Sequence, residues 1–369
     1  MLVTIFPSYT KYSAKPAHNA STLVPTFVNF ISTPAPPVHK VRQQTPPVRK
    51  GIDNTTMTRK IIIDTDPGQD DAVAILLALA SPKELEVAAI VAVAGNVGLR
   101  QNAINALKVV ELAGRTDVPV FAGYDRPIRR KLVTAEHVHG KTGLDGPDLA
   151  EPQIKLQEQH GVDFIIETIR NAASKEITIC ALGPLTNVAM ALLRAPDIAP
   201  KIGEIVLMGG ACFEGGNITP SAEFNFYVDP EAADIVMRSG VEITMLPLDV
   251  THRILATGER IQAIKNIGNN TGRAIYQMLD FSERFDLEKY QWLGAPVHDP
   301  CVIAWLLEPE IFSGRKINVE IEVTSELTRG MSVADYWGVT SRTPNVNFIR
   351  DGDAERFYQL LTERLSRLP

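Results

Sequence analysis

Four carboxylates stand within eight residues in Asp64-Thr65-Asp66-Pro67-Gly68-Gln69-Asp70-Asp71. Crowded carboxylates repel one another and raise each other's pKa unless a cation or a proton compensates. Several hard oxygens converging on one point are what Ca²⁺ or Mg²⁺ requires, and Pro67-Gly68 supplies the sharp turn that can bring Asp66 and Asp71 toward a common centre. A helix N-terminus would account for Asp70 or Asp71 singly, since it favours negative charge. It does not account for all four, so the loop predicts a bound divalent metal.

Six further strings carry groups suited to a ligand. Val93-Ala94-Gly95-Asn96 offers an amide at Asn96, although an Asn after a Gly is by itself a turn signal. His139-Gly140-Lys141-Thr142-Gly143-Leu144-Asp145-Gly146-Pro147 is a glycine-punctuated loop too long for a tight turn. Gly183-Pro184-Leu185-Thr186-Asn187 reads as a helix start, and the glycines of Val206-Leu207-Met208-Gly209-Gly210 allow a ligand to approach the backbone. In Ala222-Glu223-Phe224-Asn225-Phe226 an extended segment would turn Glu223 and Asn225 to one face, suited to a polyol, with Phe224 and Phe226 on the other. Val297-His298-Asp299-Pro300-Cys301 opens an apolar helix, with Asp299 as N-cap and proline at N1.

The elements that must hold these groups alternate. Strands are predicted at Lys60–Ile63, Val87–Val93, Val118–Phe121, Ile177–Ala181, Glu204–Met208 and Glu242–Leu246. Helices are predicted at Ala72–Ala80, Leu99–Ala113, Asp163–Ala173, Leu185–Leu193, Pro230–Ser239 and from Pro300 to about Leu307. This is an α/β pattern, an open and mostly parallel sheet with helices on both faces, and added elements near the C-terminus. In such sheets ligands bind beyond the carboxyl ends of the strands. The acidic loop, Asn96 and the Thr186 and Met208 strings all follow predicted strands.

At 369 residues with a formal net charge of -6, the chain can bury roughly 75% of its unfolded surface. That charge gives no general attraction to nucleic acid or to anionic lipid, and no apolar run approaches the ~18 residues of a membrane span. A soluble, cytoplasmic protein is expected. Cys180, Cys212 and Cys301 lack metal-binding spacing and read as small buried hydrophobes in a reducing compartment. Residues 1–58 are rich in Pro, Ser and Thr with a single acid, Asp53, and read as a disordered leader or an artefactual extension, in which case Met57 is the natural start. Residues 59–369 read as one catalytic domain.

An apolar strand ending in Asp-x-Asp occurs in the haloacid-dehalogenase-like phosphatases, but those usually continue Gly-Thr, where this chain has Pro67-Gly68-Gln69-Asp70-Asp71. The full Asp-x-Asp-Pro-Gly-x-Asp-Asp string resembles the nucleoside hydrolase family, of the inosine-uridine-preferring type, and the other strings match along nearly the whole body. The resemblance implies that family's fold, with a Rossmann-like core, and Ca²⁺-dependent hydrolysis of the N-glycosidic bond of ribonucleosides. It implies Ca²⁺ ligands Asp66, Asp71, Asp299 and the Thr186 carbonyl, which would orient a water and lower its pKa, with Asp66 as general base. Contacts to the ribose would come from Asp70, Asn96, Met208, Glu223, Asn225 and Asp299, with His139 and Tyr290 beside the base. His298, if protonated, would donate to the leaving base. The purine-specific branch carries a tryptophan just before the last aspartate, where this chain has His298, so uridine, cytidine or inosine is favoured. The resemblance also implies a homotetramer or homodimer. A non-catalytic, calcium-dependent nucleoside or ribose sensor on the same fold remains the alternative.

Overall fold

The computed structural model describes residues 58–290 and 292–369, apart from the side chains of 285–290. The expected leader therefore lies outside the described residues, except for Thr58. The first half is built of β1 (Arg59–Thr65), α1 (Gln69–Leu79), β2 (Leu85–Ala92), α2 (Leu99–Leu112), β3 (Val120–Ala122), α3 (Glu136–His139) and α4 (Gly161–Asn171). There follow β4 (Ile177–Ala181), α5 (Thr186–Arg194), β5 (Glu204–Met208), α6 (Phe224–Val228), α7 (Pro230–Met237) and β6 (Ile243–Leu246). The remainder comprises α8 (Leu248–Thr251), β7 (Leu255–Thr257), α9 (Gly258–Lys265), α10 (Asn270–Tyr290), β8 (Gly294–Pro296) and α11 (Pro300–Leu307). It ends with β9 (Phe312–Ile321), β10 (Ser332–Asp335), β11 (Val346–Gly352) and α12 (Ala354–Leu365).

The main sheet runs β10-β9-β11-β6-β5-β4-β1-β2-β3. All pairings from β11 to β3 are parallel, while β9 joins β11, and β10 joins β9, antiparallel. Strand β1 shows why both faces are covered. Ile61 and Ile63 enter one apolar core, with α1, α2, α10, α11 and α12, while Ile62 enters a second with α4, α5 and α7. The period-2 pleat sends neighbouring residues to opposite faces, so an uninterrupted Ile-Ile-Ile run is stable only between two helical layers. Among the described residues no helix is long and apolar enough to cross a membrane.

From β1 the chain moves outward to β2 and β3, and then returns to place β4, β5 and β6 on the other side. The order thus reverses between β1 and β4, and the crevice outside the carboxyl ends of such a switch point is where open α/β sheets bind ligands. Asp66 follows β1 there, Gly183 follows β4, and Asn96 follows β2.

Candidate active site

The Asp66 carboxylate fills the switch point. A Cβ on Gly95 would lie 2.0 Å from Asp66 Oδ2, and one on Gly183 would lie 2.3 Å from Oδ1. Only glycine after β2 and β4 therefore admits this side chain. The Asn96 amide N–H donates to Asp66 Oδ2 at 2.7 Å, and Asn96 Nδ2 donates to the Asp66 carbonyl at 3.0 Å and to Asp71 Oδ2 at 3.2 Å. Asp71 also accepts from Thr65 Oγ1 at 2.5 Å and from the Gly68 N–H at 3.0 Å, which ties the first turn of α1 back to β1. The Pro67-Gly68 turn is where the sequence requires it.

Single carboxylate oxygens of Asp70, Asp71 and Asp299 lie within 4.8 Å of one another. Asp299 occupies the N-cap position of α11 before Pro300, but its side chain caps nothing; it hydrogen-bonds Asp71 instead. The expected capping role is corrected by this contact: the N–H groups of Cys301 and Val302, which an N-cap side chain would take, go to the carbonyls of His298 and Asp299, and the carboxylate turns to Asp71 on α1. Burial and then the charges of Asp71 and Asp70 raise Asp66 well above the usual carboxylate range. Burial raises Asp71 to about 7, with Asp70 adding to it, and Asp299 is raised by burial and by Asp70, Asp71 and Asp66. Deeper, burial raises Asp64 to about 7 against a 2.8 Å hydrogen bond from Asn187 Nδ2. Only hydrogen bonds oppose these shifts; among the described residues no lysine or arginine contributes. A cluster of hard oxygens that lacks an internal cation suits a divalent metal.

Asp66, Asp70, Asn96, His139, Met208, Glu223, Asn225, His298 and Asp299 line one cleft. Thr186 does not line it: it opens α5, and its hydroxyl donates to Asp229 Oδ2 at 2.6 Å, so its side chain is committed elsewhere. Tyr290 ends α10, and its side chain lies outside the described residues.

The Glu223 and Asn225 segment is not extended. Glu223 is the N-cap of α6, accepting from the N–H of Asn225 at 2.8 Å and of Phe226 at 3.2 Å, and from Gly210 at 2.9 Å. A capping carboxylate starts a helical turn, so the two-residue alternation is lost. Phe224 thereby lines the cleft beside Glu223 and Asn225, while Phe226 packs into the core. Burial raises Glu223 to about 7 despite those three bonds. Asn225 Nδ2 donates to the carbonyls of Leu182 at 2.7 Å and Met208 at 3.2 Å, which leaves the amide oxygen for a ligand.

On the other side, His139 Nδ1 and Gln69 Oε1 are 2.6 Å apart, and Gln69 Nε2 donates to the carbonyls of His139 and Asp145. Gln69, the unspecified position of the acidic string, is thus the tie between α1 and the glycine-punctuated loop. His298 Nδ1 is 2.8 Å from Thr251 Oγ1. Burial lowers its pKa to about 4, so at neutral pH the ring is a neutral imidazole before any proton is supplied to it. Sequence reasoning also passed over Asn217, His252, Leu279 and Trp292, which line the cleft. His252 follows β6 by six residues, so the strand-end rule was a signal for it; Leu279 and Trp292 carried none.

Residues 61–359 match the sequence model of the inosine-uridine preferring nucleoside hydrolases. The chain belongs to this family. A pyrimidine-specific ribonucleoside hydrolase of Photobacterium profundum is 46% identical over 84% of this chain and 99% of its own. Among solved structures, a plant nucleoside hydrolase is 34% identical at a TM-score of 0.78, covering 84% of this chain and 99% of its own. A purine-preferring ribonucleoside hydrolase from Gardnerella vaginalis is 32% identical, also at 0.78, covering 84% and 98%. This nucleoside hydrolase is thus an enzyme that cleaves the N-glycosidic bond of ribonucleosides, on the α/β fold expected from its strand pattern.

Proposed function

We propose that the protein is a Ca²⁺-dependent ribonucleoside hydrolase that favours uridine, cytidine or inosine, with residues 59–369 as its catalytic domain. The observation that carries this reading is the group formed by Asp70, Asp71 and Asp299 at the switch point, where Asp66, Asp70 and Asp299 line the cleft and Asp71 is buried beside them. Asp71 and Asp299 would hold the ion, with Asp66 and the Thr186 carbonyl as the further donors the family resemblance implies. Such an ion supplies charge neutralisation and makes nearby water more acidic.

The chain's own groups do the rest. Asp66 takes the proton from the water that attacks C1′, its orientation fixed by the Asn96 N–H. Asp70, Asn96, Glu223 and Asn225 hold the ribose hydroxyls, Met208 packs against the sugar, and the carboxylates favour positive charge developing on the ring. His139 faces the base, and His298 hydrogen-bonds it as it leaves. The pyrimidine-specific relative from Photobacterium profundum supports the pyrimidine preference. The resemblance also leads us to propose a homotetramer or homodimer, which light scattering reads directly.

The substrate reading is tested by following free base from uridine, cytidine, inosine and adenosine by chromatography. Uridine or cytidine should lead and adenosine should trail; adenosine leading would overturn the preference. Because Asp70, Asn96, Glu223 and Asn225 are proposed at the ribose hydroxyls, 2′-deoxyuridine leaves part of this polar network unpaired. Its kcat/KM should fall by about 10²-fold or more relative to uridine. Equal turnover of the two would remove the hydroxyl network from the reading.

A further inference from the structure

Among the described residues, four histidines line the cleft: His137, His139, His252 and His298. His252 belongs to none of the sequence motifs and stands just past α8. Its Nδ1 lies 3.0 Å from Glu214 Oε2. A carboxylate oxygen only accepts, so Nδ1 carries the proton. Burial lowers the pKa of the ring more than Glu214 raises it, which keeps the imidazole neutral with Nε2 as a lone-pair acceptor.

The surroundings assign that acceptor a partner. The His252 ring meets Trp292 edge-on at 4.8 Å between centroids and lies 5.9 Å from the His298 ring. With Leu279 and Pro296 these rings make the aromatic and apolar part of the cleft, while Asp66, Asp70, Glu223 and Asn225 make its carboxylate and amide part. A sugar presents hydroxyls and suits the second set; a nucleobase presents two apolar faces and a polar edge and suits the first. The backbone just before Glu214 is anchored. Asp249 accepts from the N–H groups of Cys212 and Phe213, both at 2.7 Å, and the Phe213 ring lies 4.1 Å under the Arg350 guanidinium.

We infer that Glu214 and His252 read the edge of the nucleobase. Glu214 is a positioning residue that fixes the imidazole, and His252 Nε2 accepts a hydrogen bond from an N–H of the base edge: the N3–H of uracil, the N1–H of hypoxanthine or the 4-amino N–H of cytosine. This rests on the ribonucleoside hydrolase reading of the cleft and adds to it a residue pair that sets base choice.

The test compares uridine with N3-methyluridine, which lacks that N–H, in wild-type protein, His252→Phe, Glu214→Ala and Glu214→Gln. Wild-type kcat/KM should favour uridine by about 10²-fold, the penalty for leaving a buried acceptor unpaired. His252→Phe should lose activity on uridine alone and bring the ratio to within about threefold. Glu214→Ala should lower the ratio to an intermediate value, and Glu214→Gln, whose amide oxygen still accepts from Nδ1–H, should restore most of it. Unchanged discrimination in His252→Phe, or equal losses on both nucleosides, would overturn the inference while leaving the hydrolase reading in place. Absence of base release by the wild-type protein would overturn the hydrolase reading itself.

Discussion

Asp66→Asn should release base from uridine at least about 10³-fold more slowly than the wild-type protein, with a melting temperature that is unchanged or higher. Asparagine has the shape of aspartate and keeps a side-chain oxygen to accept the Asn96 N–H, which now donates at 2.7 Å. It has no basic oxygen with which to take a proton from water. Stability is not expected to suffer, because the substitution removes a fully buried carboxylate whose ionisation is opposed by burial and by Asp71 and Asp70. Turnover and thermal denaturation measured on the same preparation separate the two effects. Turnover within tenfold of wild type in a folded variant would take the general-base role away from Asp66.

Metal-free protein should lose thermal stability as pH rises from about 5 to about 8, and added Ca²⁺ should restore it more at the higher pH. In the folded chain Asp64 and Asp71 are raised from 3.8 to about 7. Below about 4 both states hold these protons; between there and about 7 the unfolded chain gives them up first. The stability they contribute is therefore present at low pH and lost through that window. A divalent cation beside Asp71 compensates the ionised form, so its effect grows as the pH rises. Melting curves with EDTA and with Ca²⁺ at the two pH values should show the metal-free midpoint lower at pH 8 by about 5 °C or more. A midpoint that does not fall with pH, together with an equal Ca²⁺ shift at both values, would mean that no such cluster is being neutralised.

Much of this was legible in the residues. Strand β4 and strand β5 were read to the residue, and the buried Ile61-Ile62-Ile63 run already implied a sheet covered on both faces. The acidic turn was legible because carboxylates so close in sequence cannot scatter far in space. The Glu223 segment was misread because alternation and a short helical turn look alike over five residues, and the deciding fact is which N–H groups the carboxylate caps. The meeting of Asp71 with Asp299 was implied only by the family resemblance, since α1 and α11 are brought together by packing. The long helix α10 and the β9–β11 region were anticipated only as added elements. Leu279 and Trp292 reach the cleft because that region folds back over it, which no local period encodes.

The most direct measurement incubates the protein with uridine, with and without EDTA, and follows free uracil and ribose by chromatography. Uracil and ribose should form in equal amounts, EDTA should stop their release, and Ca²⁺ in excess should restore it. Undiminished release after complete chelation would contradict the metal-dependent mechanism, and tight uridine binding with no product would make the protein a sensor rather than a hydrolase.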